Sequence, residues 1–283
     1  MKPSAATVAG RTGSTVCCAL AAYGLKEAGT QAITDLRRSS WSVLNKPFPS
    51  SFLKHADEQT VVGLAAVLQA IEQHSLAEED FTNWGILAAP RFFGRAALAI
   101  SLQRFALEGA WGVSPHVVPH NSQHSLSGTV SQALSIHGPN IGVGGGLSSA
   151  AEGALVAAAM VGERHLPGLW LVLTGWNPEP ILMHPTTPAR NGTGVADRCH
   201  CKGIALALKP LAPSWRGTCL RIRAGATEDG ESESSGQGAV STSFSLEGLW
   251  KTLTGPDKKS ATWQLPWGGW IELENLRGGP EKS

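Results

Sequence analysis

The sequence lacks a surplus of charge of either sign: 23 Lys+Arg stand against 22 Asp+Glu, a net charge of +1 with His neutral. A face that neutralises phosphates or anionic headgroups needs an excess of cations, so nucleic acid and anionic membranes are excluded as the main partner classes. Long apolar runs are also missing. The longest, Gly168 to Trp176, is less than half of the ~20 residues that a bilayer requires, and no membrane span is expected. Five cysteines, at 17, 18, 199, 201 and 219, are an odd number in a chain too long to depend on disulfide staples, which fits a reducing cytoplasm. No clean small-residue cleavage site follows the apolar stretch Val16 to Tyr23, which lies between Arg11 and Lys26-Glu27. It reads as a first strand, with a signal peptide as the alternative.

What is present suits a folded α/β chain. The 283 residues are 42% apolar, ample for one domain or two small ones, and 33 glycines with 17 prolines punctuate short elements. A helix is predicted around Gln31 to Arg38. Val61, Val62, Leu64, Ala65, Leu68 and Ile71 recur at helical spacing, which predicts an amphipathic helix over Glu58 to Gln73. A buried strand follows at Trp84 to Pro90, then a helix over Gly94 to Glu108 on the pattern of Ala97, Leu98, Ile100, Leu102 and Phe105. Further elements are a helix from Asn121 to Ser135 capped by Asn121, a strand from Asn140 to Gly145, an Ala-rich helix from Ser148 to Val161, and strands at Leu169 to Thr174 and Ile204 to Leu208. Strands separated by helices imply crossover units and a largely buried sheet. Residues 1–45 then form an N-terminal strand, helix and connection, 46–210 the main unit, and 211–283 a short extension. That extension holds a mobile acidic loop at 228–238 and a terminal hairpin turning at Gly268-Gly269.

Chemistry concentrates in the stretch from Ser114 to Ala154, whose grammar is helix, tight turn, strand, sharp elbow, helix. Gly138-Pro139-Asn140 makes the turn and Ile141 with Val143 the strand. Gly144-Gly145-Gly146 lets the backbone bend where a Cβ would clash, and the elbow falls at Leu147. Ser148 and Ser149 open the next helix, so unpaired N–H groups and the positive dipole end face the elbow.

In these residues, from about 46 to 210, the chain resembles the β-ketoacyl synthase family. That resemblance implies a thiolase-like layered α/β fold with helices on both faces of the sheet. In such enzymes a cysteine nucleophile follows the glycine of the Gly-Pro turn by nine residues, which here is Leu147, and a leucine forms no thioester. The family also uses two histidines from its C-terminal half, and this chain has no histidine beyond His200. The roughly 73 residues after Pro210 are short for a full second half. The resemblance therefore implies a non-condensing relative without cofactor or metal, a chain-length-factor-like or scaffolding subunit in fatty-acid or polyketide assembly. Its partner would be an active ketosynthase subunit or a second copy, with an acyl carrier protein reached indirectly. The edge Ile141 to Gly146, including Gly144, Gly145 and Gly146, is the candidate contact surface, and Leu147 is either an apolar wall in the nucleophile's place or ordinary core.

Other residues leave alternatives open. Ser148 could be the nucleophile of an acyltransferase or thioesterase acting on acyl-carrier or acyl-CoA thioesters, or a plain helix cap. His116, His120 and His124 recur at spacing four and could bind metal, although Pro115 and Pro119 interrupt a helix there. Cys199-His200-Cys201 could take zinc with Cys17 or Cys18. The tryptophans near the end, Trp250, Trp263, Trp267 and Trp270, cover core or meet a partner.

Overall fold

The computed structural model describes residues 15–43, 46–49, 51–163, 166–179, 199–223, 241–255 and 260–276. The elements are, in chain order, β1 (Thr15–Gly29), α1 (Thr30–Arg38), β2 (Ser42–Val43), β3 (Lys46–Pro47), α2 (Glu58–Gln73), β4 (Gly85–Pro90), α3 (Arg95–Glu108), α4 (Val117–Asn121), α5 (His124–Leu134) and β5 (Asn140–Gly142). They continue with α6 (Ser149–Glu163), β6 (Leu169–Asn177), β7 (His200–Pro210), β8 (Thr218–Arg223), β9 (Ser241–Ser243), α7 (Leu246–Thr254), β10 (Ser260–Gln264) and β11 (Trp270–Asn275). A 3₁₀ turn, Gly109–Gly112, extends α3.

Nine strands form one mixed sheet in the order β5-β4-β6-β7-β1-β8-β11-β10-β9. Its α/β architecture, with helices on both faces, is the one expected. Along β6, Leu169, Leu171 and Leu173 enter one apolar cluster, and Trp170 and Val172 the other. This period-two division buries both faces of a central strand. α1, α2 and α5 cover the second face, while α6 and α7 cover the first. Crossovers account for only part of the sheet: β5, β4 and β6 are parallel, whereas β7 runs antiparallel to both β6 and β1. The C-terminal strands continue the same sheet, because β8 pairs with β1 and β11 with β8.

α2 has the predicted bounds and 11 buried residues. It crosses β1 so closely that a Cβ on Gly24 would lie 2.0 Å from the Ala66 carbonyl oxygen, which requires glycine there. Its cap is Asp57, whose carboxylate accepts from the Gln59 N–H at 2.8 Å.

Several expectations are corrected. β1 runs to Gly29, since pairing with β7 carries the charged Lys26-Glu27 within the ladder. Asn121 does not cap α5; it ends α4, its Nδ2 donating to Val117 O at 2.9 Å, and α5 begins after Gln123. Pro119 sits within α4, where a first-turn proline is tolerated. The strand at Asn140 stops at Gly142, and α3 begins after Gly94 rather than at it. α7, β8 and β9 were not anticipated. The hairpin β10–β11 is present, and of its tryptophans Trp263 is core while Trp267 is exposed. The acidic segment 228–238, Arg11, His165 and His184 lie outside the described residues. No helix among the described residues is long and apolar enough to cross a membrane.

Candidate functional site at the glycine elbow

β5 is the edge of the sheet and pairs only with β4 among the described residues, through Ile86–Asn140, Leu87–Ile141 and Ala88–Gly142. After the Val143 N–H donates to Ala88 O, the chain turns through Gly144 (φ +80°) and Gly145 (φ +111°), conformations that L side chains rarely adopt. A Cβ on Gly145 would lie 2.2 Å from Gln123 Nε2, and that amide donates to Gly144 O at 2.6 Å. An isolated parallel bridge joins Arg91 to Gly145, and the Phe92 N–H donates to Gly145 O at 3.0 Å. Ser148 then takes the position before α6, its carbonyl accepting from Glu152 N–H at 3.0 Å. The elbow between strand and helix is thus where the residue pattern placed it.

Leu147 sits at that elbow with 75% of its surface exposed, so the expectation that it is ordinary core is overturned. Ser149 is buried and Ser148 partly so, and neither bonds to a histidine or carboxylate side chain among the described residues. The neighbouring His124 turns instead to Ser127, Nδ1 to Oγ 3.2 Å. A serine without a base remains a weak nucleophile.

None of the cysteines supplies the missing thiolate, since all five lie in or beside β1, β7 and β8. Burial, with Cys17 and Cys219 nearby, pushes the Cys18 thiol up to about 12. Cys201 is raised by burial and then by Asp57 and Glu58. The candidate zinc set of Cys199, His200 and Cys201 with Cys17 or Cys18 is not brought together. Cys201 pairs with Ala28 while Cys18 pairs with Pro210, which separates them by about 33 Å of strand. The histidines regroup as well: His116 stacks on His55 (ring centroids 5.2 Å, planes 5° apart), and His120 lies 5.7 Å from His55.

A buried polar network behind the elbow escaped the sequence reading. Gln59, at the start of α2, donates from Nε2 to Arg91 O (3.0 Å) and accepts from Thr174 Oγ1 (2.9 Å). The Arg91 guanidinium donates to Trp176 O, and its Nε finds no acceptor among the described residues. Only a buried glutamine within an apolar helical pattern could have signalled it. These bonds fix the ends of β4 and β6, and thereby the level at which the elbow leaves the sheet.

Beside the elbow stands an arm made of α3, the 3₁₀ turn and α4. Its apolar residues face outward: Phe105 is 55%, Leu107 85% and Trp111 100% exposed, with Leu98, Ile100 and Leu102 also exposed. The helix read from their spacing is present, but that spacing did not say that its apolar side chains would stay exposed. Gly94 and Asn121 join the arm's two ends, since a Cβ at Gly94 would lie 2.6 Å from Asn121 O. The arm meets the elbow through the turn before it, where the Phe92 N–H donates to Gly145 O, and through α4, which packs on α5 beside β5.

No protein family matches the sequence, and no curated protein matches it either. Solved structures do. A ketosynthase in complex with its chain length factor from Xenorhabdus doucetiae includes a chain that matches with a TM-score of 0.50 at 12% identity, over 92% of this chain and 96% of that one. The ishigamide ketosynthase/chain length factor matches with a TM-score of 0.46 at 12% identity, over 74% of this chain and 66% of that chain. A β-ketoacyl synthase from Burkholderia phymatum STM815 matches at 10% identity with a TM-score of 0.46, over 70% and 60% of the two chains. The chain has the thiolase-like ketosynthase fold.

Proposed function

We propose that this chain is a non-condensing subunit of ketosynthase fold that pairs with an active ketosynthase, in a chain-length-factor-like or scaffolding role in fatty-acid or polyketide assembly. The observation that carries this reading is the exposure of Leu147 and of the arm's large apolar side chains on either side of β5, an edge strand that pairs only with β4 among the described residues. Exposed apolar area of this kind marks a protein interface, and an edge strand offers free N–H and C=O groups to a partner. The absence of a thiol at residue 147 supports a non-condensing role. Ile141, Gly144, Gly145 and Gly146 would form the contact edge, Leu147 would close an apolar cavity together with the partner, and a carrier protein would be met through that partner. The odd number of cysteines in a chain of this length supports work in a reducing cytoplasm.

Co-expression with the ketosynthase of its own source tests the pairing. A stable heterodimer is expected, and Leu147→Glu should weaken it at least tenfold, in the range of an interface hot spot. Recovery of this chain as a monomer beside the intact synthase overturns the reading. A stoichiometric acyl-serine at Ser148 after incubation with an acyl-CoA thioester would favour the acyltransferase or thioesterase instead.

A further inference from the structure

Far along the chain from the elbow, Thr34, Arg37 and Arg38 of α1 converge with Lys54, from the turn before α2, around a cleft of about 380 Å³. Three cations meet here on a chain whose net charge is only +1. One carboxylate pairs with them: Arg37 Nη2 reaches Glu58 Oε1 at 3.2 Å and Ala56 O at 3.0 Å. That clamp holds the guanidinium, yet the buried Arg37 Nε has no acceptor among the described residues. Arg38 and Lys54 are exposed and enter no ion pair among those residues. Asp35, the acid nearest to Arg38 in sequence, accepts from Gln31 Nε2 at 3.0 Å.

A simpler use for two arginines in the last turn of a helix is to neutralise its C-terminal carbonyls. Two of those carbonyls, of Asp35 and Leu36, already have donors, however. Ser39 N–H donates to Asp35 O, and Ser39 Oγ and Trp41 Nε1 both donate to Leu36 O. Neither does the helix end explain Lys54, which arrives from a separate segment. The end of a helix carries about half a charge, against three cations here offset by the single carboxylate of Glu58.

We propose that this cleft binds the dianionic phosphate of a small phosphomonoester. Guanidinium forks match phosphate oxygens, and a lysine adds a point charge with three rotatable donors. A single carboxylate would be served by one arginine. This inference is independent of the partner reading of the elbow.

The test is calorimetric titration of the full chain with inorganic phosphate, glycerol phosphate and acetate, at low ionic strength and above the histidine range, where phosphate is a dianion. Saturable binding of both phosphates is expected, with acetate at least tenfold weaker. Arg38→Gln and Lys54→Gln should each weaken phosphate binding about threefold, in keeping with exposed charges. Both should leave the melting midpoint unchanged, because neither side chain is buried. Equal binding of acetate and phosphate overturns the proposal, as does failure of glycerol phosphate to bind or a double variant that binds phosphate like the parent.

Discussion

α2 and α3 are helices of similar length and similar apolar content in their sequences, and they end in opposite environments. α2 buries 11 residues between the sheet and α5, whereas α3 shows its large apolar side chains to solvent. Periodicity in a sequence states which residues can share a face; it does not state whether anything covers that face. In α2 the small residues Ala66 and Ala70 allow close approach to β1, while Gly63 lies against Leu126 of α5 and Thr174 of β6, and burial follows. Leu98, Leu102 and Phe105 of α3 stay exposed among the described residues, and in the proposed pairing a partner would cover them.

The largest effect is expected where α2 meets β1. Gly24→Ala places a methyl group against the Ala66 carbonyl and the Ala70 N–H, and should cost at least about 3 kcal/mol in urea unfolding. An unchanged midpoint would mean that α2 does not lie on β1 at that point. Leu64→Ala, at a fully buried position, should cost about 2–5 kcal/mol. Leu107→Ala in the arm should stay within about 0.5 kcal/mol. Equal losses from these two leucines would erase the contrast between the helices.

The α2 cap adds a dependence on pH. Burial, and then Glu58, raises the Asp57 carboxyl to about 7, against the opposing pull of the Gln59 N–H and Arg37. Its pKa is higher in the folded than in the unfolded state, so its contribution is fully present below the ordinary aspartate value and is lost as pH rises towards 7. Asp57→Asn keeps an acceptor for Gln59 without the charge. It should therefore be more stable than the parent above that window, by a few kcal/mol at most, with the advantage shrinking as the pH falls. A variant that is less stable at every pH would show that Asp57 is charged in the fold.

How much of this was legible depends on the kind of signal. α2, β4 and the strand–elbow–helix passage could be read because apolar spacing, a Gly-Pro turn and three glycines are local features. α7 could have been found too, since Leu246, Leu249, Trp250 and Leu253 recur at helical intervals after the Ser245 cap, whose Oγ accepts from Gly248 N–H. Of the Gln59–Thr174–Arg91 network only the glutamine within an apolar helical pattern could be read, because its partners are 32 and 115 residues away and meet it only when β4, β6 and α2 converge. The exposure of Leu147 was hidden for a related reason: a leucine after three glycines reads the same whether a neighbouring chain covers it or its own does.

The smallest effect concerns how the arm is held to the body of the molecule. His55 stacks on His116 and tilts against His120, tying the turn before α2 to α4. His120 is held below the ordinary histidine value, first by burial and then by His55 and His116. A base whose folded pKa is depressed contributes stability that is present above its ordinary value and is lost as the pH falls through the folded one. Acid should therefore loosen α4 before it unfolds the sheet, seen as faster amide exchange in α3 and α4 than in α2. His55→Gln removes one repelling neighbour but leaves the burial, so the His120 titration followed by NMR should move upward without reaching the free value. A titration unmoved by this substitution would sever the arm from the histidine contact, and its low-pH behaviour would have to come from burial alone.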